Sequence, residues 1–399
     1  MHLTPFVRLA FAAACVWCAL VEIAEFFACR FFSLELDGDW FLLLATSESH
    51  EIATFVSLYA ARLLGAVGLF AAVSALAVLV VCRSRPRQLL LAALVFVLYA
   101  GTRLCTCGKA WKPLYVAYDT VRSSAEYAEL GKAGAWTPER AAHVRPAPEG
   151  ATNLVFVIGE SLTSDRMSVY GYGRETTPGL ASLEGRIAVL GPLRTTHPDT
   201  ARALRMMLTR ATREKPDKAV ETLPVFLRQR GYRTALLSAQ RHWERYCGVE
   251  QMIFAACESR LYLSDLRPGR PLYDGDLLPY VKEELVRRDG RPFAVFVHLS
   301  GSHFSPQDRV PPHFPEGETL DAYDRSVRYT DDVLARLVKL VPEKTVLVFV
   351  SDHGESVDCP DWRNVKSPSM WRVPLLVYPE EASSPFRSLV ATDEIWYNP

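Results

Sequence analysis

An α/β domain carried behind N-terminal membrane-spanning helices is the fold this sequence predicts, and three observations predict it. Twenty uncharged residues, Leu63 to Cys82, form a run long enough to cross a bilayer. Two shorter apolar runs, Leu154–Ile158 and Val346–Ser351, end at once in Gly159-Glu160-Ser161 and Asp352-His353-Gly354-Glu355-Ser356, as strands buried on both faces and delivering polar groups to their C-terminal ends would do. From Asn153 onward strand-like and helix-like segments alternate, the signature of an α/β sheet.

The totals set outer bounds. A chain of 399 residues has room for roughly two or three domains and a sizeable core. Its 45 basic and 45 acidic residues balance, so nothing argues for an electrostatic nucleic-acid binder and no nucleic-acid partner is expected. The apolar share, 49%, is ordinary, but most of the long uncharged runs lie before about residue 110.

Taken in order, the first run is Leu9 to Phe32, apolar except for Glu22, Glu25 and Arg30. It is long enough for a membrane helix; a secretory signal peptide is the competing reading, but no small-residue cleavage site follows it. An acidic stretch comes next (Glu35, Asp37, Asp39, Glu48, Glu51), then Leu63–Cys82, then Arg83, Arg85 and Arg87 before a third run, Gln88 to Thr102, which continues past Arg103 to Gly108. By the positive-inside rule the arginine turn is cytoplasmic and the acidic stretch external, so three spans leave everything after about residue 110 outside the cytoplasm. Glu22 and Glu25, one helical turn apart, are expected to pair with Arg62 across helices, with contact to a cationic lipid headgroup as the alternative.

Residues 111–150 mix Trp111, Tyr115, Tyr118 and Tyr127 with charges and close on Pro138, Pro146 and Pro148. That composition predicts an amphipathic helix along the membrane followed by a Pro-rich linker, or else a solvated tether. The chain therefore divides into a transmembrane helical domain (1–110, about three spans), an amphipathic segment and linker (111–150) and a catalytic domain (151–399). In that last domain strands are expected at Leu154–Ile158, Thr234–Ser238, Phe293–His298 and Val346–Ser351, with a weaker one near Ile187–Leu190. Helices are expected at Ala201–Thr212, Leu223–Arg230, Leu277–Arg288 and Tyr323–Val341. Cys247 and Cys257, both in the external domain, are expected to pair, leaving Cys359 as a free or buried thiol.

The chemistry starts from the two strand ends. Glu160, Asp352 and His353 supply three of the oxygen and nitrogen ligands that a zinc-type cation takes. Between the strands lies Thr195-Thr-His-Pro-Asp-Thr200, followed by apolar positions 203, 204, 207 and 208 at helical spacing. Thr200 at that helix's N-terminus would face a phosphate-like anion, and metal contact would make its hydroxyl a nucleophile. An ordinary N-cap is the alternative reading of Thr200, since Thr and Asp are both common there.

Gly159-Glu-Ser161, then Arg166-Met-Ser-Val-Tyr-Gly-Tyr-Gly-Arg-Glu-Thr-Thr-Pro178, Thr200, His298-Leu-Ser-Gly-Ser-His303 and Ser351-Asp-His-Gly-Glu-Ser356 stand in the order found in phosphoethanolamine transferases. The chain resembles this membrane-anchored branch of the alkaline phosphatase/sulfatase superfamily over roughly residues 150 to 380. The resemblance implies an alkaline phosphatase-like α/β sandwich with a mostly parallel central sheet. It implies one zinc held by Glu160, Thr200, Asp352 and His353, with a second zinc uncertain, and a covalent intermediate on Thr200. His303 would contact the transferred phosphoryl group or a second metal, while His298 is expected to be packed and hydrogen-bonded. Ser161, Arg174 and Thr177 are expected to fix strand-loop geometry.

The implied activity is transfer of phosphoethanolamine from phosphatidylethanolamine to an envelope acceptor such as lipid A or lipopolysaccharide core. Its implied place is a bacterial inner (plasma) membrane, multi-pass, with the catalytic domain facing the periplasm. A zinc-dependent phosphodiesterase or sulfatase-like hydrolase is the nearer alternative, and a non-catalytic envelope scaffold the further one. Two departures bear on these. The family's further histidine after Asp-His-Gly-Glu is missing from Cys359–Pro374, where Ser369 and Trp371 stand, and the sequence ends at Pro399 soon after Val373–Tyr378, where a further helix and strand are expected.

Overall fold

The computed structural model describes residues 5–27, 49–83, 122, 125, 150–212, 222–242, 249–315, 317, 320–358 and 367–390. The third apolar run, the segment 111–149 apart from residues 122 and 125, Cys247 and Cys359 lie outside the described residues. Two compact units result, one within residues 1–123 and one within 124–399.

In the first unit α1 (Pro5–Phe27) and α2 (Ser49–Arg83) lie against one another. At about 1.5 Å per residue the 35-residue α2 has ample length for the uncharged run Leu63–Cys82 inside it. Several of its side chains lie outside the described residues, and among the described residues alone no helix is long and apolar enough to cross a membrane. The side chains that are described on α2 include strongly exposed Leu64, Val67, Leu76 and Leu79. The expected pairing of Glu22 and Glu25 with Arg62 involves the Glu25 side chain, which is also outside the described residues.

The second unit is built on one sheet. In chain order its elements are β1 (Asn153–Gly159), α3 (Pro178–Ala181), β2 (Ala188–Arg194), α4 (Thr200–Leu208), α5 (Leu223–Gln229) and β3 (Arg233–Ser238), then α6 (Val249–Phe254), β4 (Ser259–Tyr262) and α7 (Leu263–Leu266). After these come α8 (Leu278–Val286), β5 (Phe293–His298), α9 (Ala322–Leu340), β6 (Thr345–Ser351), β7 (Arg372–Tyr378) and α10 (Ser384–Val390). Among the described residues the strand order is β2-β7-β6-β1-β5-β3-β4. The run from β6 to β4 is parallel, and β7 is antiparallel to both β6 and β2. The sheet is therefore α/β, as the alternation of elements predicts, and mostly parallel, as the resemblance implies, with β7 making it mixed.

Central strands are apolar throughout because each face is covered. Val155, Val157, Val295, Val297, Leu347 and Phe349 enter one core with residues of α8 and α9. Ile158, Leu236 and Phe296 enter the other with Leu204 and Leu208 of α4 and Met252 and Ile253 of α6. The residues alternate between the two cores along each strand, as a period of two requires. Phe156 and Phe296 stack across β1 and β5 at 5.2 Å. The registry pairs Ile158 with His298, His298 with Ser238, and Gly159 with Ser351, so β1, β3, β5 and β6 end level with one another. Whatever follows each of them in sequence meets at one edge of the sheet.

Some expectations are revised. β4 carried no clear signal, being four residues long, and β2 is an edge strand reached through the antiparallel β7. α4 stops at Leu208 rather than Thr212, because Thr209 adopts an extended backbone and bridges Thr222. The helix expected after β7 is present as α10, and residues 391–399 lie outside the described residues. Cys257 is a free thiol, buried, and burial pushes its pKa up to about 12.

Candidate metal centre

Glu160 follows β1 and Asp352 and His353 follow β6, so adjacent parallel strands set all three side chains at the same sheet edge. Three of their ligand atoms lie within 4.8 Å of one another, and all three residues are buried. His353 Nε2 stands 3.5 Å from Glu160 Oε1 and 3.5 Å from Asp352 Oδ2. Its other ring nitrogen, Nδ1, lies 2.7 Å from the Gly354 carbonyl, which leaves the Nε2 lone pair directed at the carboxylates.

Thr200 completes the group from a distant part of the chain. The N-cap of α4 is Asp199, whose side chain accepts the Arg202 N–H, so capping does not consume the threonine hydroxyl. Thr200 Oγ1 instead donates to Glu160 Oε2 at 3.1 Å and lies 3.4 Å from His353 Nε2. The capping alternative for Thr200 is thereby displaced by one position.

Backbone geometry holds the two carboxylates in place. Ser161 sits at φ 54°, a left-handed conformation unusual for serine, and its N–H donates to Asp352 Oδ1 at 3.1 Å while its hydroxyl donates to Glu160 Oε1 at 2.7 Å. Tyr323 of α9 donates its hydroxyl to the Ser161 carbonyl and accepts from the Thr163 N–H. Arg166 and Arg174 both pair with the buried Asp324, and Thr177 Oγ1 lies 2.7 Å from Ser168 Oγ, so Ser161, Arg174 and Thr177 serve the strand-loop geometry as expected.

The electrostatics are those of a site short of positive charge. Burial, and then the charge of Glu160, pushes the Asp352 carboxyl up. Burial pushes Glu160 up as well, but His303, His353 and His298 together with the Ser161 hydroxyl outweigh it and hold it down. Two buried carboxylates this close are costly to ionise together without a cation between them. Asp352 Oδ2 is buried with no hydrogen-bond partner among the described residues. That orphan oxygen, the free Nε2 lone pair and the threonine hydroxyl form a donor set that fits a small divalent cation.

Other residues were not legible in advance. Gln240, just beyond β3, donates Nε2–H to Glu160 Oε2 at 3.2 Å and to the Leu299 carbonyl at 2.8 Å. Asp274, fully buried, accepts from the Ser300 N–H, the Ser300 hydroxyl and the Gly301 N–H, and Ser302 N–H donates to the Glu160 carbonyl. Position at the end of a parallel strand could have singled out Gln240; no local pattern marks Asp274. His303 stands outside the ligand group, with Nδ1 2.9 Å from the Phe304 carbonyl and 3.2 Å from Arg309 Nη2, near enough for its charge to bear on Glu160. His298 is packed and hydrogen-bonded on one edge, to Glu250 at 3.0 Å.

Comparison with known proteins places this geometry. The sequence profile of the sulfatase family matches residues 152–394, well over half of the chain. The chain belongs to the sulfatase family. This sulfatase-family domain is 31% identical to phosphoethanolamine transferase EptC of Escherichia coli (strain K12) over 261 residues, covering 57% of this chain and 45% of that protein. It is 28% identical to the Kdo(2)-lipid A phosphoethanolamine 7''-transferase of the same strain, covering 57% and 44%. The chain thus spans about half the length of the curated relatives it matches. Among solved structures, the zinc complex of the C-terminal periplasmic domain of E. coli EptC superposes with a TM-score of 0.53 at 30% identity, covering 60% of this chain and 76% of that one. The integral membrane protein lipooligosaccharide phosphoethanolamine transferase A of Neisseria meningitidis covers 98% of this chain and 81% of its own at a TM-score of 0.62, and at 20% identity it shares the fold.

Proposed function

We propose that this chain transfers phosphoethanolamine from phosphatidylethanolamine to an envelope acceptor, a glycolipid such as lipid A or lipopolysaccharide core, through a covalent intermediate on Thr200. The observation that carries the reading is the convergence of the Thr200 hydroxyl on Glu160 and His353 at the N-terminus of α4. The relatives named phosphoethanolamine transferases, and the zinc in the related EptC domain, support it.

Glu160, Thr200, Asp352 and His353 would hold one zinc ion. Bound there, zinc supplies Lewis acidity that favours the alkoxide form of threonine and charge that offsets the phosphoryl oxygens. The chain's own residues do the rest. Thr200 Oγ1 forms the new bond to phosphorus while the bond from phosphorus to the diacylglycerol oxygen breaks, and the threonine proton leaves on the side facing Glu160 Oε2. In the second half an acceptor oxygen attacks phosphorus and the bond to Thr200 Oγ1 breaks, regenerating the hydroxyl. The N–H groups at the start of α4 face the developing charge. His303, placed beside the cluster, would contact the phosphoryl oxygens or carry a proton for the leaving or attacking group.

The test is made on purified full-length protein in detergent, incubated with zinc and phosphatidylethanolamine. A mass increase of one phosphoethanolamine group, with matching release of diacylglycerol, is expected for the wild type and lost in Thr200→Ala. Ester turnover without an adduct would point instead to a hydrolase, and neither turnover nor adduct to a scaffold.

A further inference from the structure

Beneath the cluster, on the face of the sheet that α4 and α6 cover, lies a buried group that the mechanism above does not use. His298 ends β5 in register with Ile158 of β1, and Ile158, Phe296, Leu204 and Met252 pack together on that face. The His298 side chain is 1% exposed. Its Nδ1 lies 3.0 Å from Glu250 Oε1 on α6, and the same oxygen accepts the Ser238 hydroxyl at 3.0 Å. Ser238 Oγ in turn accepts the Gln240 N–H at 3.1 Å, and Gln240 reaches Glu160. Because a carboxylate only accepts, Nδ1 must carry a proton. The other nitrogen, Nε2, is buried and has no hydrogen-bond partner among the described residues.

Buried polar atoms in folded proteins are almost always paired, because an unpaired one loses its hydration without replacement. An orphan imidazole nitrogen braced by a carboxylate is thus an arrangement that awaits a partner beyond the described residues. Resting on the transfer reading above, we propose that His298 Nε2 donates a hydrogen bond to an oxygen of the phosphoryl group bound at Thr200, with Glu250 holding the ring in position. With Nδ1 already donating to Glu250, donation from Nε2 requires the imidazolium, which the Glu250 carboxylate 3.0 Å away favours; burial alone lowers the His298 pKa, but Glu250, then Glu160 and Asp352, raise it overall. Of these carboxylates Glu250 is the one that no cation at the cluster would neutralise. Gln240 and Ser238 keep Glu250, His298 and Glu160 in a single hydrogen-bonded train, so the phosphoryl contact and the carboxylate nearest the nucleophile are set by the same scaffold.

Two amides separate the edges of the ring. The side-chain nitrogen of asparagine falls near the place of Nδ1, and that of glutamine near the place of Nε2. A role confined to the Glu250 brace is kept by asparagine; a role at Nε2 is kept by glutamine. With full-length protein, zinc and phosphatidylethanolamine, the rate of adduct formation on Thr200 is measured in single turnover for wild type, His298→Asn and His298→Gln, alongside zinc content and thermal midpoint. The expected result is a loss of about 100-fold in the asparagine variant and of about tenfold or less in the glutamine variant, with zinc content unchanged in both. Wild-type rates in His298→Asn would overturn the proposal. So would equal losses in both variants accompanied by loss of zinc or of the thermal midpoint, which mark a packing role. A wild type that forms no adduct would sink the transfer reading and this contact together, a result distinct from either.

Discussion

The Thr200 hydroxyl shows how much one residue's neighbours decide. Asp199 caps α4, and the threonine beside it is left to face Glu160 and His353. Gln240 acts on the same carboxylate oxygen: its amide fixes Glu160 Oε2 while anchoring itself on the Leu299 carbonyl. Partners of this kind orient metal-binding side chains, and their loss typically costs 10–100-fold in affinity. Gln240→Ala is accordingly expected to weaken zinc binding by about tenfold, read by competition with a chelating dye. An unchanged affinity would show that Ser161 and Thr200 hold Glu160 in place without it. Legibility at this scale was uneven. Glu160, Asp352 and His353 each follow an apolar run and stand out, whereas Gln240 and Glu250 lie in segments whose importance comes only from what they touch.

At the scale of elements, the loop after β5 locks the centre from behind. Gly301 has φ 54°, and a Cβ there would lie 2.3 Å from the Glu160 carbonyl oxygen and 2.9 Å from its nitrogen. The loop can approach so closely because it bears no side chain at that point, and Asp274 then ties it down through three hydrogen bonds. Gly301→Ala should displace Glu160 and cost more than 2 kcal/mol, about the sum of backbone strain and a main-chain clash, with loss of bound zinc in step. Denaturant unfolding and metal analysis on the same samples check it; a stable, fully loaded variant would refute the close approach. On the other side Gly354 meets the Ser369 carbonyl, where a Cβ would lie 2.0 Å away, so the segment following His353 is clamped against the turn that precedes β7. Strand and helix placement was readable because covered parallel strands are apolar throughout and α9 repeats its apolar residues at helical spacing. β4 and the early end of α4 were not, since four residues carry too little pattern and the Thr209 bridge to Thr222 is a long-range event.

At the scale of the whole molecule, the reading requires a donor that resides in a bilayer. On the proposed reading, exposed Leu64, at 71%, and Val67 and Leu76, each at 62%, on α2 would face lipid. On the same reading, Arg83, Arg85 and Arg87 mark a cytoplasmic turn in the sequence and the third apolar run returns the chain across the bilayer, which would leave Thr200 outside the cytoplasm. In spheroplasts a protease added outside should therefore degrade the domain bearing Thr200, and alkaline carbonate should fail to release the protein from membranes. Release by carbonate, or protection of that domain, would remove the membrane placement.

The residues alone determined which strands are buried, where polar groups leave them, and that a threonine opens a helix between them, because each of these is a local matter of apolar runs and spacing. Only the tertiary structure decided that the ends of β1, β3, β5 and β6 stand level, so that a carboxylate, an amide, an imidazole and an acid–imidazole pair from distant segments share one edge. Registry between strands depends on how two covered faces fill together, and no stretch of sequence short enough to read by itself contains that information.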